Sequence, residues 1–168
     1  KNLEYGGNNF TVTVTSTSGL ENDYNIYIFR EEPEDKEFKF ELSTYSIYSN
    51  IVTGIKPLTI KNTLISNFNI KNGTAKIIKF DKNAAYIGTG DTIELYDSNN
   101  ELRYSYALSV ETDLNGDGEV TAIDARIALR YTNGDYTLNY IGILLGDMNQ
   151  DGEVTPIDAR EILQMIVE

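Results

Sequence analysis

With 168 residues and 40% apolar content, the chain is long enough to bury a core in one large domain or two small ones. It has no cysteine and no histidine, which excludes zinc fingers and the Ser-His-Asp and Cys-His nucleophiles. Its formal charge of −12 argues against nucleic acid or an anionic membrane as partner, since both need a basic patch. The charge is uneven: from Thr112 onward eleven acids face three arginines, against fifteen acids and eleven bases before it. That concentration points to a cation. No stretch approaches the roughly 20 apolar residues of a membrane-spanning helix, and Lys1-Asn2-Leu3 opens no signal-peptide core, so the piece reads as soluble, whether or not it is cut from a longer chain. The lack of cysteine does not by itself assign a compartment.

The first two-thirds read as strands. "FTVTVT" (10–15) and "YNIYIF" (24–29) alternate with period two, and "FKFEL" (38–42), "SIYSNIV" (46–52), "TIELYD" (92–97) and "LRYSYALSV" (102–110) follow. "NFNIKNGTAKIIKF" (67–80) reads as a hairpin turning at Asn72-Gly73. Seven or so short strands at this spacing predict a β-sandwich. The charged stretch "REEPEDKE" (30–37) reads either as a connector between two β units or as a surface loop of one sandwich. No clustered catalytic set stands in 1–111, and the chain is read as a non-enzyme. Its twelve tyrosines fit half-exposed strands, or alternatively a sugar-binding face.

Two dodecamers then dominate: "DLNGDGEVTAID" (113–124) and "DMNQDGEVTPID" (147–158), in a repeat 34 residues apart with 12 of 17 positions identical between 113–129 and 147–163. Each sends oxygen donors from positions 1, 3, 5 and 12, namely Asp113, Asn115, Asp117 and Asp124, then Asp147, Asn149, Asp151 and Asp158. Calcium takes six to eight oxygens at about 2.3–2.6 Å, which a tightly curled loop with alternate side chains inward supplies. Gly118 and Gly152 occupy position 6, where the chain turns sharply, and Glu119 and Glu153 at position 7 offer backbone carbonyls. Val120 and Val154 at position 8 suit a short strand-like pairing of the loops. Two bound calcium ions are expected, and magnesium is disfavoured by its smaller octahedral shell.

Position 12 is Asp rather than the more usual Glu, so the following helix must begin closer to the ion. Thr121 and Thr155 are N-cap candidates with Asp three residues on, and Pro156 sits where a missing N–H costs nothing. Ala128, Leu129, Ile162, Leu163, Ile166 and Val167 continue the helical faces. Between the repeats, "NGDYTLNYIGILLG" (133–146) reads as a middle helix on Leu138, Ile141, Leu144 and Leu145. A strand, and no entering helix, precedes the first loop.

Duplicated calcium loop-helix units around a middle helix, with Asp at position 12, resemble a dockerin over 112–168. The resemblance implies a small all-α module with EF-hand-like loops, calcium as cofactor, and a cohesin as partner on a scaffold or cell surface. It also implies a secreted, extracellular or bacterial cell-surface location, with polysaccharide met through the parent protein. In that family positions 10 and 11 and exposed helix residues choose the cohesin, and many members carry Ser or Thr there. Here Ala122-Ile123 and Pro156-Ile157 are apolar, so the resemblance implies a more hydrophobic interface with Arg126, Arg130, Arg160 and Gln164 at its edge. Alternatively Ile123 and Ile157 are core residues. The near-symmetric repeat permits two binding orientations, with Ile127/Glu161 and Tyr131/Met165 as tie-breakers.

Residues 53–111 resemble the Ig-like β-sandwich X-type modules that precede dockerins, in a module spanning 38–111. Residues 8–30 resemble the closing strands of a cadherin-like repeat, so 1–32 is either that tail or extra strands of the X module. With Val110 three residues before Asp113, the β-module and the repeat region are expected to form one rigid unit. A carbohydrate-binding β-sandwich with a calcium-stapled C-terminus is the rival, and a calcium sensor is disfavoured by only two methionines.

Overall fold

The computed structural model describes residues 2–4, 6–31 and 37–167, and the chain divides into two compact units at the 36/37 boundary. Most of the charged stretch read as a connector, residues 32–36, lies outside the described residues.

In the first unit, β1 (Gly6–Thr15) and β2 (Glu21–Arg30) form a two-stranded antiparallel ribbon. The alternation seen in the sequence sorts its faces: Thr11 pairs with Asn25 at 2.8 Å and Thr13 with Asp23 at 2.6 Å on one side. Phe10, Val12, Tyr24 and Ile26 lie on the other, cross-strand partners in the same register.

The second unit is built on a five-stranded mixed sheet in the order β3-β4-β7-β6-β5, from β3 (Ser46–Tyr48), β4 (Ile51–Ile55), β5 (Gly73–Ile78), β6 (Thr92–Asp97) and β7 (Leu102–Val110). β4 and β7 run parallel; the other pairs are antiparallel. Period-two alternation puts Ile93, Leu95, Tyr106, Leu108 and Val110 on one buried face, packed with Val52, Ile55, Leu64 and Phe68.

Three expectations are corrected here. The sandwich takes the form of a single sheet, whose apolar face is covered by the short helix α1 (Lys61–Ser66) and by Phe38, Phe40, Leu42 and Tyr45, and not by a second sheet. The stretch 38–42 forms only an isolated bridge, Lys39 to Lys71, because its rings pack inward: Phe40 lies edge-on to Tyr104 at 5.2 Å and stacks on Phe68 at 6.0 Å. The run 46–52 is two strands, since Ser49 and Asn50 both take positive φ (46° and 70°) and close a tight hairpin.

Three helices follow: α2 (Ala122–Thr132), α3 (Tyr140–Gly146) and α4 (Pro156–Val167). α2 and α4 bury Ala125, Ala128, Ala159 and Ile162 against each other, with Val154 and, half-buried, Leu114, Val120, Ile143 and Met148. The position-8 valines thus enter this core, and among the described residues no bridge pairs the two loops. α3 lies over the other face of the sheet, where Ile51, Thr53 and Ser109 share a cavity of about 200 Å³ with Tyr140, Ile141 and Leu144. No helix among the described residues is long and apolar enough to cross a membrane.

Candidate functional site: two acidic loops and the helix pair they support

Loop 1 (113–124) curls around its own carboxylates. Asp113 accepts the Gly116 N–H at 2.7 Å through Oδ1 and the Gly118 N–H at 3.1 Å through Oδ2. Asn115 accepts the Asp117 N–H at 3.0 Å and donates to the Asp117 carboxylate at 2.7 Å, and Asp117 accepts the Glu119 N–H at 2.9 Å. Loop 2 (147–158) repeats this: Asp147 accepts from Asp151 and Gly152, Asn149 from Asp151, and Asp151 from Glu153. Alternate side chains reaching back over the loop produce the tight turn that the sequence spacing predicts.

Position 12 ties the loop to its helix. Asp124 Oδ1 accepts the Leu114 and Asn115 N–H groups at 2.9 and 3.2 Å, and its Oδ2 accepts the Thr121 N–H at 2.8 Å. The last bond is half of a capping box in which the Thr121 hydroxyl accepts the Ile123 N–H at 3.2 Å. Asp158 does the same with Met148, Asn149 and Thr155, and Pro156 begins α4 as expected. One carboxylate therefore clamps both ends of each loop and starts a helix, a task for which the shorter Asp side chain is suited.

The electrostatics of the two loops differ. Asp113 and Asp124 are both fully buried, and that burial pushes their pKa values up despite the N–H bonds from Thr89, Gly116, Thr121 and Leu114. Burial acts in the same direction on Asp158, but the bonds from the Thr155 N–H and hydroxyl, Asn149 and Met148 outweigh it and leave the pKa lowered. Asp151 and Gly152 of loop 2 are exposed. Among the described residues no three carboxylates alone form a metal cage, so any ion would complete its shell with the Asn amide and position-7 carbonyl oxygens. That all-oxygen, mixed set, with buried charge in want of a counter-charge, fits a hard cation of calcium's size.

The helices carry the other predicted residues. A groove of about 400 Å³ between α2 and α4 is lined by Ala122, Arg126, Leu129, Pro156, Arg160 and Leu163, with Ala125 and Ala159 at its base. These lining residues are pairs related by the repeat. Ile123 and Ile157 are 52% and 48% exposed, which resolves the open choice between core and surface in favour of surface. Gln164 is exposed as well, whereas Arg130 is engaged locally, donating to the Asp135 carbonyl at 3.0 Å and stacking over Tyr136 at 5.5 Å. Leu129 and Leu163, which continue the apolar helical faces, are 43% and 46% exposed and line the groove. Ala128 and Ile162, one residue earlier in each helix, are the buried ones.

Residues 111–167 match the dockerin type I domain. No curated protein and no solved structure matches the chain. Dockerin domains are non-catalytic modules that bind calcium in EF-hand-like loops and bind cohesin modules, and they occur in secreted cellulosome components. The matched segment therefore begins two residues before loop 1 and takes in both loops, the three helices α2, α3 and α4, and the groove.

Proposed function

We propose that this dockerin segment is a calcium-dependent docking module that binds a cohesin through the α2–α4 groove and attaches its parent protein to an extracellular scaffold or cell surface. The observation that carries the reading is the groove itself: an apolar strip with Leu129 and Leu163 exposed, Ile123 and Ile157 beside it, and an arginine from each helix. Exposed aliphatic side chains gathered on one face mark an interaction surface. Asp113, Asn115, Asp117 and Asp124, with the Glu119 carbonyl, would hold one calcium ion, and Asp147, Asn149, Asp151 and Asp158, with the Glu153 carbonyl, a second. Bound calcium supplies the positive charge that buried carboxylates lack and binds the folded loops alone, so it stabilises α2 and α4 in the pose that forms the groove.

Ala122, Arg126, Pro156 and Arg160 then contact the partner directly, Ile123, Ile157 and Gln164 extend the surface, and Arg130 sits at its edge. Because each contact residue has a counterpart in the other helix, the surface presents similar chemistry after half a turn, which supports two binding orientations. Tyr131 packs on the helical core while Met165 is exposed, and Ile127 is buried while Glu161 is half-exposed, so these pairs distinguish the orientations. Residues 38–111 stand in the place of a companion X-type module, built on one covered sheet rather than a sandwich, and residues 1–32 belong to a separate cadherin-like β repeat.

Calorimetric titration against a panel of cohesins, with calcium and then with EGTA, tests this. One-to-one binding abolished by EGTA is expected. Leu129→Asp or Leu163→Asp alone should weaken binding only modestly, while the double variant abolishes it. Absence of binding to every cohesin, with both loops calcium-loaded, overturns the proposal.

A further inference from the structure

Neither the calcium loops nor the groove accounts for the strap Tyr86-Ile87-Gly88-Thr89, which residues 37–110 around the five-stranded sheet, here the β unit, hold against loop 1 within the second compact unit. The strap is pinned from behind by Asp91, a fully buried carboxylate that accepts the Phe80 N–H at 2.7 Å, the Gly88 N–H at 2.9 Å and the Lys79 ammonium at 2.7 Å. Lys79 also donates to the Tyr86 carbonyl, so one ion pair folds the segment 79–91 back on itself. At its far end the Thr89 hydroxyl accepts the Val110 N–H at 3.1 Å and bonds the Val110 carbonyl at 3.3 Å, fastening the strap to β7.

Held in this way, the Thr89 N–H donates to Asp113 Oδ2 at 2.7 Å, and the Leu58 N–H donates to the Gly118 carbonyl at 2.8 Å. The backbones approach so closely that three positions tolerate only glycine. A Cβ on Gly88 would overlap the Gly116 carbonyl, one on Gly118 would overlap the Ile87 carbonyl, and one on Gly116 would lie 2.7 Å from the Thr89 carbonyl oxygen. Among the described residues no backbone presses on loop 2 in this way: Gln150 stands where loop 1 has Gly116, also at positive φ, and a Cβ on Gly152 would meet nothing within 4 Å.

We infer that the strap Tyr86–Thr89 is a positioning element for loop 1, so that calcium fills loop 1 at a lower concentration than loop 2. The inference rests on the calcium reading of both loops. Its physical basis is that a ligating carboxylate already oriented by a fixed donor loses less freedom when the ion arrives, and such outer partners alter metal affinity by about 10- to 100-fold. Thr89 acts through Asp113 and touches no ion itself.

The test is a calcium titration of the full, calcium-stripped chain followed by nuclear magnetic resonance, with the Gly118 and Gly152 amide signals reporting each loop separately. The Gly118 signal is expected to reach its endpoint at calcium about tenfold or more below that needed for Gly152. Gly88→Ala drives a wedge between strap and loop and should raise the loop 1 midpoint about tenfold, leaving loop 2 unmoved. Thr89→Ala releases the Val110 clasp, should act in the same direction by a smaller factor, and carries the test if Gly88→Ala does not fold. Unchanged signals of Ile93 and Leu108 report an intact sheet. Equal midpoints in the unsubstituted chain, or variants that move both loops alike or neither, overturn the inference. Failure of both glycine signals to respond to calcium overturns the calcium reading itself, and the inference with it.

Discussion

The two loops share their ligand pattern, capping residues and following helix, yet one is enclosed and the other is open. Asp113, Gly116 and Gly118 are buried, whereas their counterparts Asp147, Gln150 and Gly152 are half-buried or exposed; the position-12 carboxylates Asp124 and Asp158 alone are equally shut off from solvent. Duplication alone would make the copies equivalent. What separates them is that the central strand β7 ends only two residues before loop 1, so the strap and the Leu58 backbone become part of that loop's wall, while loop 2 is entered from α3. The difference shows how one local sequence code can be given two environments by its surroundings, and the substitutions that distinguish the copies, Gly116 against Gln150 above all, mark where those surroundings press.

The largest expected effect comes from the clamps. Asp124→Ala leaves the Leu114, Asn115 and Thr121 N–H groups unpaired in a buried setting, and a cost of about 3 kcal/mol is expected in denaturant unfolding of the calcium-loaded chain. Asp158→Ala removes the matching bonds of an equally buried carboxylate, but Asn149 is exposed, so water reaches its freed N–H and the cost should be roughly 1 kcal/mol less. Equal costs would mean that enclosure has no energetic consequence.

A reciprocal exchange sharpens the comparison. Gly116→Gln places a Cβ 2.7 Å from the Thr89 carbonyl oxygen and should destabilise by about 2 kcal/mol through overpacking against backbone. Gln150→Gly, at a φ of 61° in open space, should fall within about 1 kcal/mol of neutral or be mildly stabilising. Thermal melts of the two variants in calcium distinguish steric confinement from ordinary glycine preference.

The smallest effect is in pH. In calcium-stripped protein the raised pKa values of Asp113 and Asp124 mean that loop 1 binds protons more readily folded than unfolded. Their contribution is complete below the ordinary value of 3.8 and is lost as pH rises through the raised values. Asp158 has the opposite sign, contributing above 3.8 and losing its contribution as pH falls through its lowered value. Acidification should therefore raise amide protection in loop 1 relative to loop 2, measured as a ratio corrected for intrinsic exchange. A constant ratio would count against the assigned burial effects.

Much of this segment is legible in the sequence because its determinants are local. Alternating oxygens, glycine at position 6, Thr121 and Thr155 as caps and Pro156 at the helix start act within a dozen residues, and the structure repeats them. The β unit is legible as strands but not as a topology: β6 and β7 follow from alternation, whereas α1 has no side-chain cap and is held by the burial of Leu64, with Phe68 just beyond it. The split of 46–52 depends on Ser49 and Asn50 adopting positive φ, which neither residue type demands. Exposure of Leu129 and Leu163 likewise depends on how α2 meets α4, a tertiary fact that helical spacing does not contain. The strap against loop 1 was hidden for the same reason, since Thr89 and Asp113 are 24 residues apart and meet only through the fold.

The most direct single measurement is hydrogen exchange of the full chain as calcium is withdrawn stepwise with a chelator, read separately over 113–124, 147–158 and the sheet strands. The account predicts that protection is lost first over 147–158, then over 113–124, while β6 and β7 stay protected throughout. Loss from both loops at the same free calcium, or from loop 1 first, would contradict the claim that the β unit makes two similar calcium loops unequal. Protection indifferent to calcium would contradict the docking account at its base.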